Sequence, residues 1–168
     1  MRLKQLVIGC SAAIPVLMSA NLALAQAKPD DAIKARQATF AVVAAHVGRI
    51  KSNLDGDYKK EDVMRSAAVI QAIANAGLTP FFPAGTEKGI GFHETQVKPE
   101  LFDPANAKKL TEVANNFNEQ ANQLVVVANV GDKAAVQTQF GKLRGTCKGC
   151  HDNFRVDSTA AAPAPAAK

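Results

Sequence analysis

Four stretches of this chain repeat their apolar residues at the 3.6-residue interval of an α-helix, and no stretch alternates convincingly in the manner of a strand. The first begins after Pro29-Asp30-Asp31 and lines up Ile33, Phe40, Val43, Val47 and Ile50, ending near Asn53. The second, from about Lys60 to Ala76, carries Val63, Ala67, Ile70 and Ile73 or Ala74, a face made largely of small residues, and stops at Gly77. The third runs from about Pro104 to Asn129 through Leu110, Val113, Phe117, Leu124 and Val127. The fourth follows Gly131-Asp132, with Asp132 as its N-cap, and places Val136, Phe140, Leu143, Cys147, Cys150 and Phe154 on one stripe. Short first and third connections and a long middle one fit an all-α, antiparallel four-helix bundle, a fold that holds cofactors between facing helices.

The middle connection, Leu78 to Asp103, is broken by Pro80, Pro83, Gly85, Gly89, Gly91 and Pro99. A loop of this length in a compact domain is either functional or disordered. Phe81, Phe82, Ile90 and Phe92 argue against disorder, because a solvated loop has little use for so many apolar groups.

The two ends are of another kind. Arg2 and Lys4 precede an apolar run from Leu6 to Met18, and Ala23-Leu24-Ala25 supplies small residues for cleavage after Ala25, the pattern of an export leader over 1–25. The apolar run is roughly a dozen residues, short of the ~20 that cross a bilayer, so no membrane anchor is expected once the leader is removed. Cys10, in Val7-Ile8-Gly9-Cys10, has a lipobox-like setting but too short an apolar run before it, and reads as a leader cysteine. The tail over 158–168 is rich in Ala and Pro and reads as disordered, leaving 26–157 as the folded domain. Without Arg2 and Lys4, 18 of the 20 basic residues stand against 15 acids, a net charge of +3. That weak excess is scattered along the chain and gives no nucleic-acid footprint.

Two cysteines remain beyond the leader, in Cys147-Lys148-Gly149-Cys150-His151. This C-x-x-C-H spacing is the attachment signal of haem c. Positions i, i+3 and i+4 share one side of a helix, so two thiols can bond the two vinyl groups on one porphyrin edge while the adjoining histidine lies under the iron. A disulfide and half a zinc site are the competing readings. A redox dithiol belongs at a strand-to-helix turn, and a zinc site with four cysteine ligands needs a second cysteine pair; neither is present in the sequence. With an export leader, the expected location is the periplasm.

The other side of the iron decides the function. An electron carrier with six-coordinate iron needs a second strong ligand, Met or His. Beyond the leader these are Met64, in the small-residue second helix, His46, on the Arg49 side of the first, and His93, in the long loop. Helix packing accounts for Met64 and a surface position for His46, while His93 stays open; a vacant coordination site survives.

A haem motif in the last helix, together with Ala32-Ile33-Lys34-Ala35-Arg36-Gln37, His46-Val47-Gly48-Arg49, Phe82-Pro83-Ala84-Gly85-Thr86, Lys98-Pro99-Glu100 and the stretch from Cys147 to Arg155, resembles the cytochrome c prime family, the class II c-type cytochromes. The resemblance covers almost all of the chain beyond the leader. It implies a four-helix bundle, usually a homodimer, with one high-spin, five-coordinate haem c per chain and His151 as the iron ligand. It also implies Arg36 and Gln37 beside the haem propionates, Phe40 over the vacant iron position, and Arg155 beside the proximal histidine. The middle loop departs from the family pattern, with Leu78 and Phe102 where relatives often carry tryptophan.

The expected function is reversible binding of small neutral diatomic gases, nitric oxide and carbon monoxide, with exchange of single electrons through redox partner proteins. Neutral compact ligands can displace a phenyl ring, whereas anions entering an apolar space lose solvation without compensation. The alternative is a low-spin, six-coordinate electron carrier using Met64 or His93. A peroxidase would require a polar acid-base group above the iron, which Phe40 does not supply; no enzymatic activity is expected.

Overall fold

The computed structural model describes residues 28–156; the leader, Cys10 and the Ala/Pro tail lie outside them. The four periodic stretches are four helices: α1 (Pro29–Asp55), α2 (Lys60–Asn75), α3 (Ala107–Val130) and α4 (Lys133–Phe154). Pro29 opens α1, where its missing N–H costs nothing, and Asp30 and Asp31 face the positive end of the helix dipole. Asp132 caps α4 as expected, its carboxylate accepting from the N–H groups of Ala134 at 2.8 Å and Ala135 at 3.1 Å. The third helix starts later than its periodicity suggests. Pro104–Asn106 forms a 3₁₀ turn, because the Asp103 side chain accepts from Ala105 N at 2.9 Å and tightens the chain before α-helical bonding begins at Ala107.

Each helix packs on its neighbour in sequence, α1 on α2, α2 on α3 and α3 on α4. The shared core is built from Ile50, Val63, Ile70, Leu124, Val136 and Leu143, all fully buried. Small residues on the inner face of α2, Ser66, Ala67 and Ala74, let its neighbours approach closely. On the flank of the α2–α3 seam, Asn122 Oδ1 accepts from Gln71 Nε2 at 2.9 Å and Asn118 Nδ2 donates to Asn75 Oδ1 at 2.7 Å, which fixes the register of the pair.

Close packing of this kind is nearly lacking between α1 and α4, the first and last helices of the series. The long middle connection spans that opening. It carries 3₁₀ turns at Thr79–Phe81 and Pro99–Phe102 and two isolated bridges, Ile90 with Glu94 and Val97 with Arg155. No helix among the described residues is long and apolar enough to cross a membrane.

Candidate haem site

The last two turns of α4 carry Cys147, Cys150 and His151 on one side of the helix. Both cysteines are free thiols and both are half-buried. Burial raises the pKa of Cys147, against opposing contributions from Thr146, its own backbone and Arg144. Cys150 is raised by burial and then by Cys147. Two neutral thiols three residues apart, unjoined and partly withdrawn from water, are suited to addition across two vinyl groups. His151 is an exposed residue whose ring is partly withdrawn from water. Its pKa is lowered, first by partial burial and then by the charge of Arg155, with Asp152 opposing. The neutral imidazole thus favoured is the form that ligates iron.

The opening between α1 and α4 is walled by the middle loop, which is fastened to both helices. On the α1 side, the Gln37 side chain clasps the loop backbone: its Oε1 accepts from Phe92 N at 2.7 Å and its Nε2 donates to His93 O at 2.9 Å. Ile90 N donates to Asp30 Oδ1 at 3.1 Å. Arg36, only 4 % exposed, donates to Thr86 Oγ1 at 2.9 Å, Thr86 O at 3.3 Å, Thr95 Oγ1 at 2.8 Å and Phe81 O at 3.3 Å. Burial lowers its pKa from the ordinary arginine value. On the α4 side, Val156 N donates to Gln96 O at 2.8 Å, Lys98 N donates to Phe154 O at 2.9 Å, and Arg155 reaches the Gln96 side chain.

Arg36 and Gln37, expected at propionates, are thus brought together as anchors of the loop. Sequence reasoning missed the partners they hold, Thr86, Thr95 and the backbone of Phe92 and His93. The glycines at 89 and 91 were the available signal, because bare backbone is what a loop needs to lie this close to a helix.

Phe40 lies one turn beyond Arg36 and is half-buried. Its ring meets Phe81 edge-on, with centroids 6.3 Å apart, and Phe82 at a tilt, 6.0 Å apart. Arg36 stacks over the Phe82 ring with 5.0 Å from guanidinium carbon to centroid. Met64 packs on the hydrophobic core, and His93 Nδ1 lies 3.2 Å from Gln37 Nε2 and 2.8 Å from Glu94 O. His46 corrects an expectation: instead of lying free on the surface it is half-buried, with Nδ1 enclosed and without a partner. Its spacing from Val43 and Ile50, three and four residues away, brings it to the edge of the buried stripe.

These residues fit a covalently held haem. The thiols are free, the first and last helices stand apart, and a loop with an aromatic cluster closes the space between them. Among the described residues no group of three or more His, Cys, Asp or Glu side chains could hold a bare metal ion. The family described as Cytochrome C' matches residues 31–155. The chain belongs to the cytochrome c′ family. It is similar to cytochrome c′ of Rhodocyclus tenuis, 49 % identical over 130 residues that cover 77 % of this chain and 96 % of that protein. Among solved structures it resembles cytochrome c′ from Thermochromatium tepidum, with a TM-score of 0.72, 37 % identity, and coverage of 77 % of this chain and 98 % of that one. A cytochrome c′ described as having a ligand-controlled dimer dissociation matches with a TM-score of 0.73, 38 % identity and the same coverage. A nitric oxide complex and a carbon monoxide complex of variants of the Alcaligenes xylosoxidans cytochrome c′ match with TM-scores of 0.68 and 0.67, each 27 % identical, covering 78 % of this chain and 98 % of theirs. As a cytochrome c′, the chain carries haem c, attached through Cys147 and Cys150.

Proposed function

We propose that this cytochrome c′ is an exported, periplasmic haem protein that binds nitric oxide and carbon monoxide at a five-coordinate iron ligated by His151. When bound, haem c would supply an iron able to take a diatomic gas and to exchange single electrons with partner proteins. The chain supplies the rest. Cys147 and Cys150 fix the macrocycle, His151 offers a neutral imidazole, and Arg36 and Gln37, for which the family likeness implies a place beside the propionates, hold the loop that walls the site; of the Arg36 donors the Nε–H is the one the loop leaves open for a charge-assisted hydrogen bond to a propionate. Arg155 biases His151 toward the neutral form.

The observation that carries the reading is the aromatic cluster at Phe40, Phe81 and Phe82. A phenyl ring cannot bond iron, and the family likeness supports reading this one as the residue over the vacant position. An apolar wall admits a small neutral ligand and disfavours an anion or a hydrated group. It also offers no acid-base side chain for peroxide chemistry, so a gas-binding rather than an enzymatic role is favoured. The nitric oxide and carbon monoxide complexes of the Alcaligenes relative support the same ligands here. The dimeric relative supports a homodimer, and the apolar groove between α1 and α2, lined by Ala38, Val42, Ala72, Ile73 and Ala76, offers a face for a second copy.

Optical spectra of the purified ferric and ferrous protein test the coordination state. High-spin spectra in both, converted by carbon monoxide in the ferrous state, are expected; low-spin spectra with a strong-field sixth ligand would replace this reading with the six-coordinate electron carrier. Sedimentation at micromolar concentration tests the dimer, and a monomer throughout would exclude it.

A further inference from the structure

The Phe40 ring is not free to yield on its own. Phe81 lies edge-on to it with an interplanar angle of 66°, and Phe82 lies against it at 47°. Both of these rings come from the middle loop, and one side chain holds both. Arg36 NH1 donates to the Phe81 carbonyl at 3.3 Å, and the Arg36 guanidinium carbon lies 5.0 Å over the Phe82 ring. The guanidinium is itself fixed by Thr86 and Thr95, and it is almost wholly removed from water, where a cation–π contact is strongest.

We propose that Phe82, locked by Arg36, is the positioning residue that sets how readily Phe40 gives way to an entering gas. This rests on the reading of Phe40 as the residue over the vacant iron position. Displacing Phe40 from its place means moving a ring that packs on two others, and a side chain in a dense interior moves only if its neighbours can. The loop therefore tunes gas entry through Phe82, without Phe82 touching the iron. A stiffer backing slows entry of every ligand and discriminates most strongly against those that need a larger displacement.

The test is a double-mutant cycle on the holoprotein, with wild type, Phe40→Ala, Phe82→Leu and the double variant at matched haem content. Carbon monoxide association is followed by rapid mixing. Phe82→Leu is expected to accelerate association by about two- to tenfold, the size expected when one aromatic pair contact is lost. In the Phe40→Ala background the same change should do nothing, because the ring it backs is gone. A merely structural role would shift both backgrounds alike and overturn the inference, as would unchanged rates in Phe82→Leu. Unchanged rates in Phe40→Ala would overturn the gate itself, so the two failures are distinguishable. Thermal unfolding of the same four proteins gives a readout independent of gas: non-additive losses are expected for two rings in contact, and additive losses would show that they act separately. If Phe82→Leu does not retain haem, Phe81→Leu carries the same prediction through the second backing ring.

Discussion

Arg155 and Gln96 join the end of α4 to the middle loop: Arg155 Nε and NH2 donate to the same Gln96 Oε1, at 2.9 and 2.5 Å. The backbones around them pair as well, Val97 bridging Arg155 and Val156 N donating to Gln96 O at 2.8 Å. A side chain that lowers the pKa of His151 is therefore also a fastener of the wall beside it.

Arg155→Leu and Gln96→Leu should each lower stability by about 0.5–1.5 kcal/mol, the usual net worth of a hydrogen-bonded pair at an exposed position. Because each change breaks the same pair, the double variant should lose little more than either single one. Urea unfolding of the holoprotein measures this. Fully additive losses would mean that the pairing contributes nothing to the fold.

Arg36→Met should be far more damaging. It leaves the buried acceptors of Thr86 and the half-buried ones of Thr95 and Phe81 without their Arg36 donor, for an expected loss of about 2–4 kcal/mol. Arg36→Lys should recover only part of that, since an ammonium cannot spread its donors as the planar fork does. Denaturant midpoints for the two variants give the comparison, and equal recovery by lysine would show that charge, not the fork, is what the loop needs.

Helical periodicity made the bundle legible because each helix buries one stripe, and the expected stripes of α1 and α4 are the buried ones at Ile33, Val43, Ile50, Val136, Phe140, Leu143 and Phe154. The haem motif was legible because its chemistry demands fixed spacing on one helix. The middle loop was not. Its order comes from side chain to backbone bonds and side-chain pairs between residues 45 to 60 positions apart, such as Arg36 to Thr86 and Arg155 to Gln96, and such pairings leave no period in the sequence. Arg36 could be read as a ligand-facing or a solvated cation, but a buried arginine that holds a loop is visible only once the loop is folded over it.

Gly91 shows how closely that loop lies on α1. A Cβ there would meet Ile33 Cγ2 at 2.9 Å and crowd Gln37 Oε1. At Gly89, with φ of +130°, a Cβ would lie 2.7 Å from Asp30 Oδ1 and 2.8 Å from Ile33 Cδ1. Gly91→Ala is expected to push the loop off the Gln37 clasp at a cost of about 1–3 kcal/mol. Amide hydrogen exchange should report it locally, as faster exchange at Phe92 and Ile90, whose N–H groups bond to Gln37 and Asp30. Unchanged exchange at those two amides would place the loop further from the helix.

The attachment chemistry predicts a stepwise loss. Cys147→Ser and Cys150→Ser should each leave at most one thioether, and the double variant none, as read by the mass of the intact chain and by haem release into acidified organic solvent. His151→Ala should leave both links possible. The loss of the cofactor should also weaken the bundle, because the macrocycle occupies apolar volume that side chains alone would leave as a cavity. Covalent haem surviving in the double variant would overturn the assignment of both cysteines.

Tyr58 gives a prediction far from the haem, at the α1–α2 connection. Its ring packs on the core while its hydroxyl is buried without a hydrogen-bond partner. The pKa is raised above the ordinary tyrosine value of 10.0, first by burial and then by the charges of Asp132 and Glu61. A raised folded-state pKa means that above about pH 10 the unfolded chain has lost a proton the folded one still holds, so stability falls as pH rises through that range. Tyr58→Phe removes both the unsatisfied hydroxyl and the ionisation. At neutral pH the variant should be as stable as wild type or more so, by up to about 1 kcal/mol. Above about pH 10 its advantage should widen, since in wild type alone the unfolded chain gains from ionising a tyrosine. Because the sequence contains one tyrosine, ultraviolet difference spectra follow its ionisation directly alongside the unfolding curves. A stability difference that stays constant from about pH 8 to about pH 11 would mean that the folded chain lets Tyr58 ionise as freely as the unfolded chain does.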